Sequence, residues 1–402
     1  MKPTTILSPY AARNYLPLPI VLDRAEGVWV WDEDGKRYLD MLGAYSAASF
    51  GHSHPRLVAA LARQASRLDT VSRALHARVL DDFLKRACEL TGFDRALPMN
   101  TGAEAVETAL KAARKWAYTV KKVPTDQAEV ICCEGNFHGR TIAVTAMSSI
   151  PQYREGFGPY PPGFVAVPFG DADALARAIT PNTAAFLVEP IQGEGGIVVP
   201  PDGYLARAAE ICRANNVLLI ADEIQTGLCR TGKLLACWHD GIEPDAITLG
   251  KALGGGLIPV SLFLARRELI DVFRPGDHGS TFGGNPIASA VGIEALTLLV
   301  EDELCTRSAE LGAYFLEALR GINSPLIREI RGRGLFIGLE LDAQRVSGEA
   351  LVNRLIRRGI LTKDTHRNTV RFAPPLTIER GEIDWAIGEI EAALSELEGR
   401  LS

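Results

Sequence analysis

The chain predicts an α/β fold with a mostly parallel central sheet flanked by helices and a smaller α+β C-terminal domain. Three observations lead there. Apolar strand-like runs alternate with helical periodicity through the middle of the chain, a hairpin signal precedes that region, and short strands between amphipathic helices follow it.

Taken in order, Val28–Trp31 and Arg37–Asp40 flank Asp34-Gly35, a dipeptide suited to a tight hairpin turn. Strands are expected at Glu129–Cys133, Phe164–Val167, Ala184–Val188, Val217–Ala221 and Pro259–Ala265, with helices at Glu104–Tyr118 and Tyr204–Asn215 between them. Helices near 286–320 lead into strands near Ile327, Gly334–Leu341 and Val370–Phe372, and a last amphipathic helix spans Glu379–Glu398. The pattern divides into an N-terminal segment, 1–45, a large domain, 46–300, and a small C-terminal domain, 301–402, with no internal repeat or low-complexity linker.

At 402 residues the chain can bury a stable core without disulfides. Its 47% hydrophobic and 23% charged composition is that of an ordinary globular protein. A net charge of −6 without a basic patch argues against nucleic-acid binding. Seven scattered cysteines suit buried thiols in a reducing compartment better than a disulfide framework. No apolar stretch is long enough to span a bilayer, and Met1 to Tyr15 lacks the features of a signal or transit peptide, so a cytoplasmic location is expected. His52 and His54 in Gly51-His52-Ser53-His54-Pro55 read as a turn before a helix, and no metal site is expected. Gly332, Gly334 and Gly338 suggest a dinucleotide fingerprint, but the spacing is off by one and a strand-like segment follows, so a tight turn explains them.

The chemistry concentrates around Lys251, among the glycines of Ile247–Gly256, and around Asp222, which ends the apolar run from Leu218. A lysine in a turn between buried strands loses its proton readily, as Schiff-base chemistry requires. An aspartate at the end of a buried strand can hold a cationic ring nitrogen. Together they point to pyridoxal 5'-phosphate, with Lys251 carrying the cofactor aldehyde and Asp222 keeping the pyridine protonated. Thr101-Gly102-Ala103 opens a helix whose unpaired amides and partial positive charge can seat the cofactor phosphate, while Thr101 and Glu104 also fit a capping box.

The segments Ala221–Gly227, Arg230-Thr231-Gly232, Lys251, Gly279–Pro286, Asn100–Ala105 and Gly135–Thr141 resemble the class III aminotransferases, fold-type I pyridoxal phosphate-dependent transferases, from about residue 13 to 395. That resemblance implies that Phe137 and Ile224 pack on the two faces of the pyridine, Gln225 bonds the ring hydroxyl oxygen, and Asp222 bonds the ring N–H. Ser280 and Thr281 would reach the phosphate from a neighbouring subunit, which implies a homodimer or a higher assembly of dimers.

Further segments, including Asn14–Pro19, Tyr45–Ala47, Gly156–Pro159, Glu189–Glu194 and Arg371–Pro375, narrow the resemblance to the ornithine-acting branch of the family. There, Tyr15 and Arg140 would hold the substrate α-carboxylate, Tyr45 would shape the pocket, and Arg371 paired with Glu194 would be kept from binding that carboxylate. When the acceptor 2-oxoglutarate enters, Glu194 would swing away, leaving Arg371 for the α-carboxylate and Arg140 for the distal one. Two departures bear on the amino donor: His138 stands where animal ornithine enzymes carry tryptophan, and Ser49-Phe50 replaces the usual Asn-Gln. Acetylornithine, 4-aminobutyrate and lysine remain alternative donors. An epimerase or aminomutase shares Lys251 and Asp222 but needs no external keto acid.

Overall fold

The computed structural model describes residues 10–366 and 368–399; residues 1–9 of the expected N-terminal segment and 400–402 of the C-terminal domain lie outside them. Strand β1 (Leu22–Glu26), not expected from the sequence, pairs antiparallel with β2 (Trp29–Asp32), which forms the expected antiparallel hairpin with β3 (Arg37–Asp40), with Gly35 at φ 80° in the turn. The central sheet contains β4 (Arg95–Met99), β5 (Glu129–Cys133), β6 (Phe164–Val167), β7 (Thr183–Val188), β8 (Leu218–Asp222), β9 (Ala246–Leu249) and β10 (Ser261–Ala265). Their order is β4-β10-β9-β8-β7-β5-β6, and only β10 runs against the others.

Strands β7, β8 and β10 are buried at every residue, because helices cover both faces of a parallel sheet and leave no face for a polar alternation. The helix Gly102–Trp116 packs on β9 and β10. It continues through a π-turn at Ala117–Lys121 and stops at Lys122, which takes a left-handed conformation. Beyond the helices Pro286–Glu301 and Leu304–Arg320 lie β11 (Ile327–Gly332), β12 (Ile337–Leu341), β13 (Ile360–Leu361), β14 (Lys363–Thr365) and β15 (Thr369–Phe372). Strands β11, β12, β15 and β14 make an antiparallel sheet, with Gly332 closing β11 and Gly334 in the β11–β12 turn. Strand β13 instead pairs in parallel with β3, Ile360 opposite Leu39, and so completes the N-terminal sheet.

Two contacts tie the segment after β8 to the C-terminal portion. Arg230 is fully buried; its Nη1 donates to the carbonyls of Leu335 (2.9 Å) and Pro374 (2.6 Å), and its Nη2 to Ser49 Oγ (2.9 Å). Burial without a paired carboxylate lowers its pKa to about 9. Beside it, Cys229 and Cys305 form a disulfide, which corrects the expectation of free thiols: residues far apart in sequence meet where the helix Leu304–Arg320 packs on that segment. The other five cysteines are free. Among the described residues no helix is long and apolar enough to cross a membrane. Alkylation of the denatured, unreduced protein should label five of the seven cysteines, and peptide mapping should find Cys229 and Cys305 unlabelled; labelling of all seven would exclude the bridge.

Candidate active site

The strands that run together end on one edge of the central sheet, where an open parallel sheet presents its loops to ligands. Asn100 to Ala103 follow β4, Glu134 to Arg140 follow β5, Glu189 to Glu194 follow β7, Asp222 to Gln225 end and follow β8, and Lys251 follows β9. A cavity of about 200 Å³ lies there, lined by Gly102, Ala103, Phe137, His138, Gly139, Glu189, Asp222, Ile224, Gln225 and Lys251. Seven of the ten cofactor residues expected from sequence are therefore brought together. Thr101 is next to the cavity and engaged in the capping box, its Oγ1 accepting from Glu104 N at 3.2 Å. Ser280 and Thr281 do not line it; Ser280 Oγ accepts from Asn100 Nδ2 at 2.7 Å.

The residues fit the expected cofactor. A side chain on Gly102 would come within 3.0 Å of Ile224 Cδ1, so glycine keeps the cavity floor at the helix N-terminus open. Lys251 opens a turn at φ 45°. Burial lowers its pKa to about 8; Glu194, Asp222 and Glu189 favour its charged form, and Arg371 opposes it. Asp222, only 4% exposed, accepts from Thr248 Oγ1 (2.9 Å) and Ile224 N (3.2 Å), and its Oδ2 lies 2.7 Å from His138 Nδ1.

Sequence reasoning gave no role to two of these neighbours. His138 is buried; desolvation lowers its pKa, but the Asp222 contact outweighs it and the net shift is upward. Glu189 directly follows β7, much as Asp222 ends β8. Burial and the nearby Asp222 charge raise its pKa to about 7, against His138 and the backbone N–H groups of Phe137 and Gly193. The signal that identified Asp222, an acidic residue at the end of an apolar strand, was equally present at Glu189. The two departures from the ornithine pattern differ in place: His138 lines the cavity and meets Asp222, whereas Ser49 receives Arg230 and Phe50 lies in the core.

Next to Gln225 of the cavity lining, Arg371 on β15 is 1% exposed and donates through Nη1 to Glu194 Oε1 (2.8 Å) and Gln225 Oε1 (3.3 Å). Its Nε has no hydrogen-bond partner among the described residues. Burial raises the Glu194 pKa, but Arg371, Lys251 and His366 outweigh that and leave it lowered. The Arg371 guanidinium lies 4.5 Å from the centroid of Tyr45. Arg140 is exposed, with its guanidinium 3.9 Å from the ring of Tyr153 and 5.4 Å from that of Phe137. Tyr15 is 78% exposed, and among the described residues no hydrogen bond, ion pair or ring contact joins it to this group.

Tyr45 reaches Arg371 from a left-handed turn, with φ of 55°, 45°, 60° and 75° at Gly43, Ala44, Tyr45 and Ser46. Such a conformation costs roughly 1–2 kcal/mol per non-glycine residue. Asp40 holds it by accepting from Leu42 N (3.0 Å) and Gly43 N (2.9 Å), while its other oxygen lies 2.8 Å from His52 Nε2. A Cβ at residue 43 would overlap the Ala373 carbonyl oxygen. Gly43→Ala should therefore lower stability by about 2 kcal/mol or more, seen as a lower urea midpoint; an unchanged midpoint would refute this account of the turn.

The class-III aminotransferase pattern matches residues 10–394. A Brevibacillus brevis ornithine aminotransferase is 56% identical over 385 residues, 96% of each chain. A solved ornithine aminotransferase from Toxoplasma gondii superposes with a TM-score of 0.96 at 48% identity, covering 97% of this chain and 94% of that one. An acetylornithine aminotransferase from Elizabethkingia anophelis gives a TM-score of 0.87 at 44% identity, covering 96% of each chain. With a buried lysine and aspartate on one cavity and this similarity along nearly its whole length, the chain belongs to the class-III aminotransferases, enzymes that depend on pyridoxal phosphate.

Proposed function

We propose that this chain is an ornithine δ-aminotransferase, which moves the δ-amino group of ornithine to 2-oxoglutarate in two half-reactions and yields glutamate 5-semialdehyde and glutamate. The carrying observation is the Arg371–Glu194 pair. A fixed structural pair would favour a two-pronged contact, whereas here Nη1 takes both acceptors and Nε is left over. Such a pair suits a gate: closed, it keeps Arg371 from the ornithine α-carboxylate, and opened, it frees Arg371 for the α-carboxylate of 2-oxoglutarate. Arg140 forms no ion pair among the described residues and would take the ornithine carboxylate, then the distal carboxylate of the acceptor.

Bound pyridoxal 5'-phosphate supplies an aldehyde that captures an amine and a ring that accepts the electron pair left on carbon. Lys251 would hold that aldehyde and, once displaced, move a proton from the substrate δ-carbon; its tether gives it a high effective concentration. Asp222 would keep the ring nitrogen protonated, and the amides of Gly102 and Ala103 would take the phosphate. Phe137 and Ile224 would bracket the ring and Gln225 its hydroxyl oxygen, while Thr101, and Ser280 and Thr281 of a second copy, would add phosphate contacts. Tyr15 would reach the substrate only after moving from its exposed position. Residues 46–300 would then form the cofactor domain and 301–402 the domain that carries Arg371.

The departure at 49–50 is engaged outside the cavity and does not bear on the donor, while His138 acts on Asp222 from within it. Absorption spectra of the reconstituted protein, without keto acid, test the reading. Ornithine should abolish the band of the lysine-bound cofactor and 2-oxoglutarate should restore it; a preference for acetylornithine or 4-aminobutyrate would replace the donor, and product without 2-oxoglutarate would indicate an isomerase. Cofactor capture needs the neutral lysine, so its rate should rise with pH through about 8 and then level off, and Lys251→Ala should give no such band. Glu194→Ala should shift the ratio of α- to δ-transamination roughly tenfold or more towards α-amines, measured by product analysis; unchanged regiospecificity would eliminate the gate.

A further inference from the structure

Arg140 is exposed on a loop, and a long flexible cation in that setting would sample many rotamers. Here it is restrained. Its guanidinium lies over the Tyr153 ring at 3.9 Å, and that ring makes an edge contact with Phe137, centroids 6.1 Å apart. Tyr153, in the short helix Pro151–Arg154, is half-buried, and its hydroxyl lies 2.8 Å from His366 Nε2 in the turn after β14. The two rings also meet edge to face, with centroids 5.8 Å apart. Burial raises the Tyr153 pKa, Arg140 pulls it down and Glu194 pushes it up; His366 in turn acts on Glu194. These residues therefore form one connected rim, built from both the central-sheet loops and the C-terminal sheet.

We infer that Tyr153 and His366 are positioning residues that hold Arg140 at the cavity mouth, ready to receive a substrate carboxylate. Stacking occupies the face of the guanidinium and, beside a donor turned to the Tyr153 hydroxyl, leaves N–H groups for a two-pronged contact. The His366 bond fixes the phenol, and the phenol fixes the cation, so the restraint on Arg140 depends on the C-terminal sheet being seated against the central one. This rests on the proposed role of Arg140.

Steady-state kinetics of the reconstituted protein with Tyr153→Phe, His366→Ala and His366→Gln test it. Tyr153→Phe and His366→Ala should each raise KM for ornithine and for 2-oxoglutarate roughly three- to tenfold, with kcat within about twofold. His366→Gln, which can still accept from the phenol, should recover most of the loss. Donor efficiency with 1,4-diaminobutane, which has no carboxylate, should be unaffected. Wild-type KM values in the first two variants, or an equal loss with 1,4-diaminobutane, would overturn the inference. Failure of the wild-type protein to use ornithine would instead overturn the substrate reading, and the KM for 2-oxoglutarate with any working amine would still decide the role of Tyr153 and His366.

Discussion

The site is organised by the burial of one carboxylate. Asp222, with 4% of its surface exposed, would be expensive to keep charged in an apolar setting. The fold offsets that cost with the His138 ring, the Thr248 hydroxyl and the Ile224 amide. Burial likewise favours neutral Lys251 and neutral Glu189. Burial thus acts in opposite directions on the two kinds of group, lowering the lysine and raising the glutamate, and the neighbouring charges set how far each moves.

A second group of charges sits farther out and is arranged differently. Arg371 and Glu194 are joined through one nitrogen, and Arg140 is held by aromatic faces instead of by a carboxylate. A carboxylate partner at Arg140 would compete with the substrate, whereas a ring restrains the cation without neutralising it. The inner group is centred on the Asp222 carboxylate and its three contacts and is suited to chemistry, while the outer group keeps donors in reserve and is suited to recognition.

Most of the central sheet was legible because its strands are apolar runs and its helices have clear periodicity. The strands β4 and β9 were not, and the reason is local. Arg95–Met99 carries a proline and a charge, and Ala246–Leu249 is only four residues long, so pairing with β10 defines both. The two-residue strand β13 exists only through β3. In the site, Lys251 and Asp222 could be read from their place after strands. The contacts of Tyr153 with Arg140 and His366 could not, because they join loops far apart in sequence. The Cys229–Cys305 bridge escaped for the same reason, since even a correct cysteine count carries no information about which segments the fold places side by side.

The pairing of β13 with β3 has a consequence for synthesis. Leu39 leaves the ribosome early, yet its partner Ile360 is made near the end of the chain. Until then one edge of the N-terminal sheet has unpaired backbone donors and acceptors, a template for another strand. The nascent chain must therefore guard an open edge through nearly the whole of translation, and truncation before residue 360 would leave that edge permanently available to a neighbouring molecule.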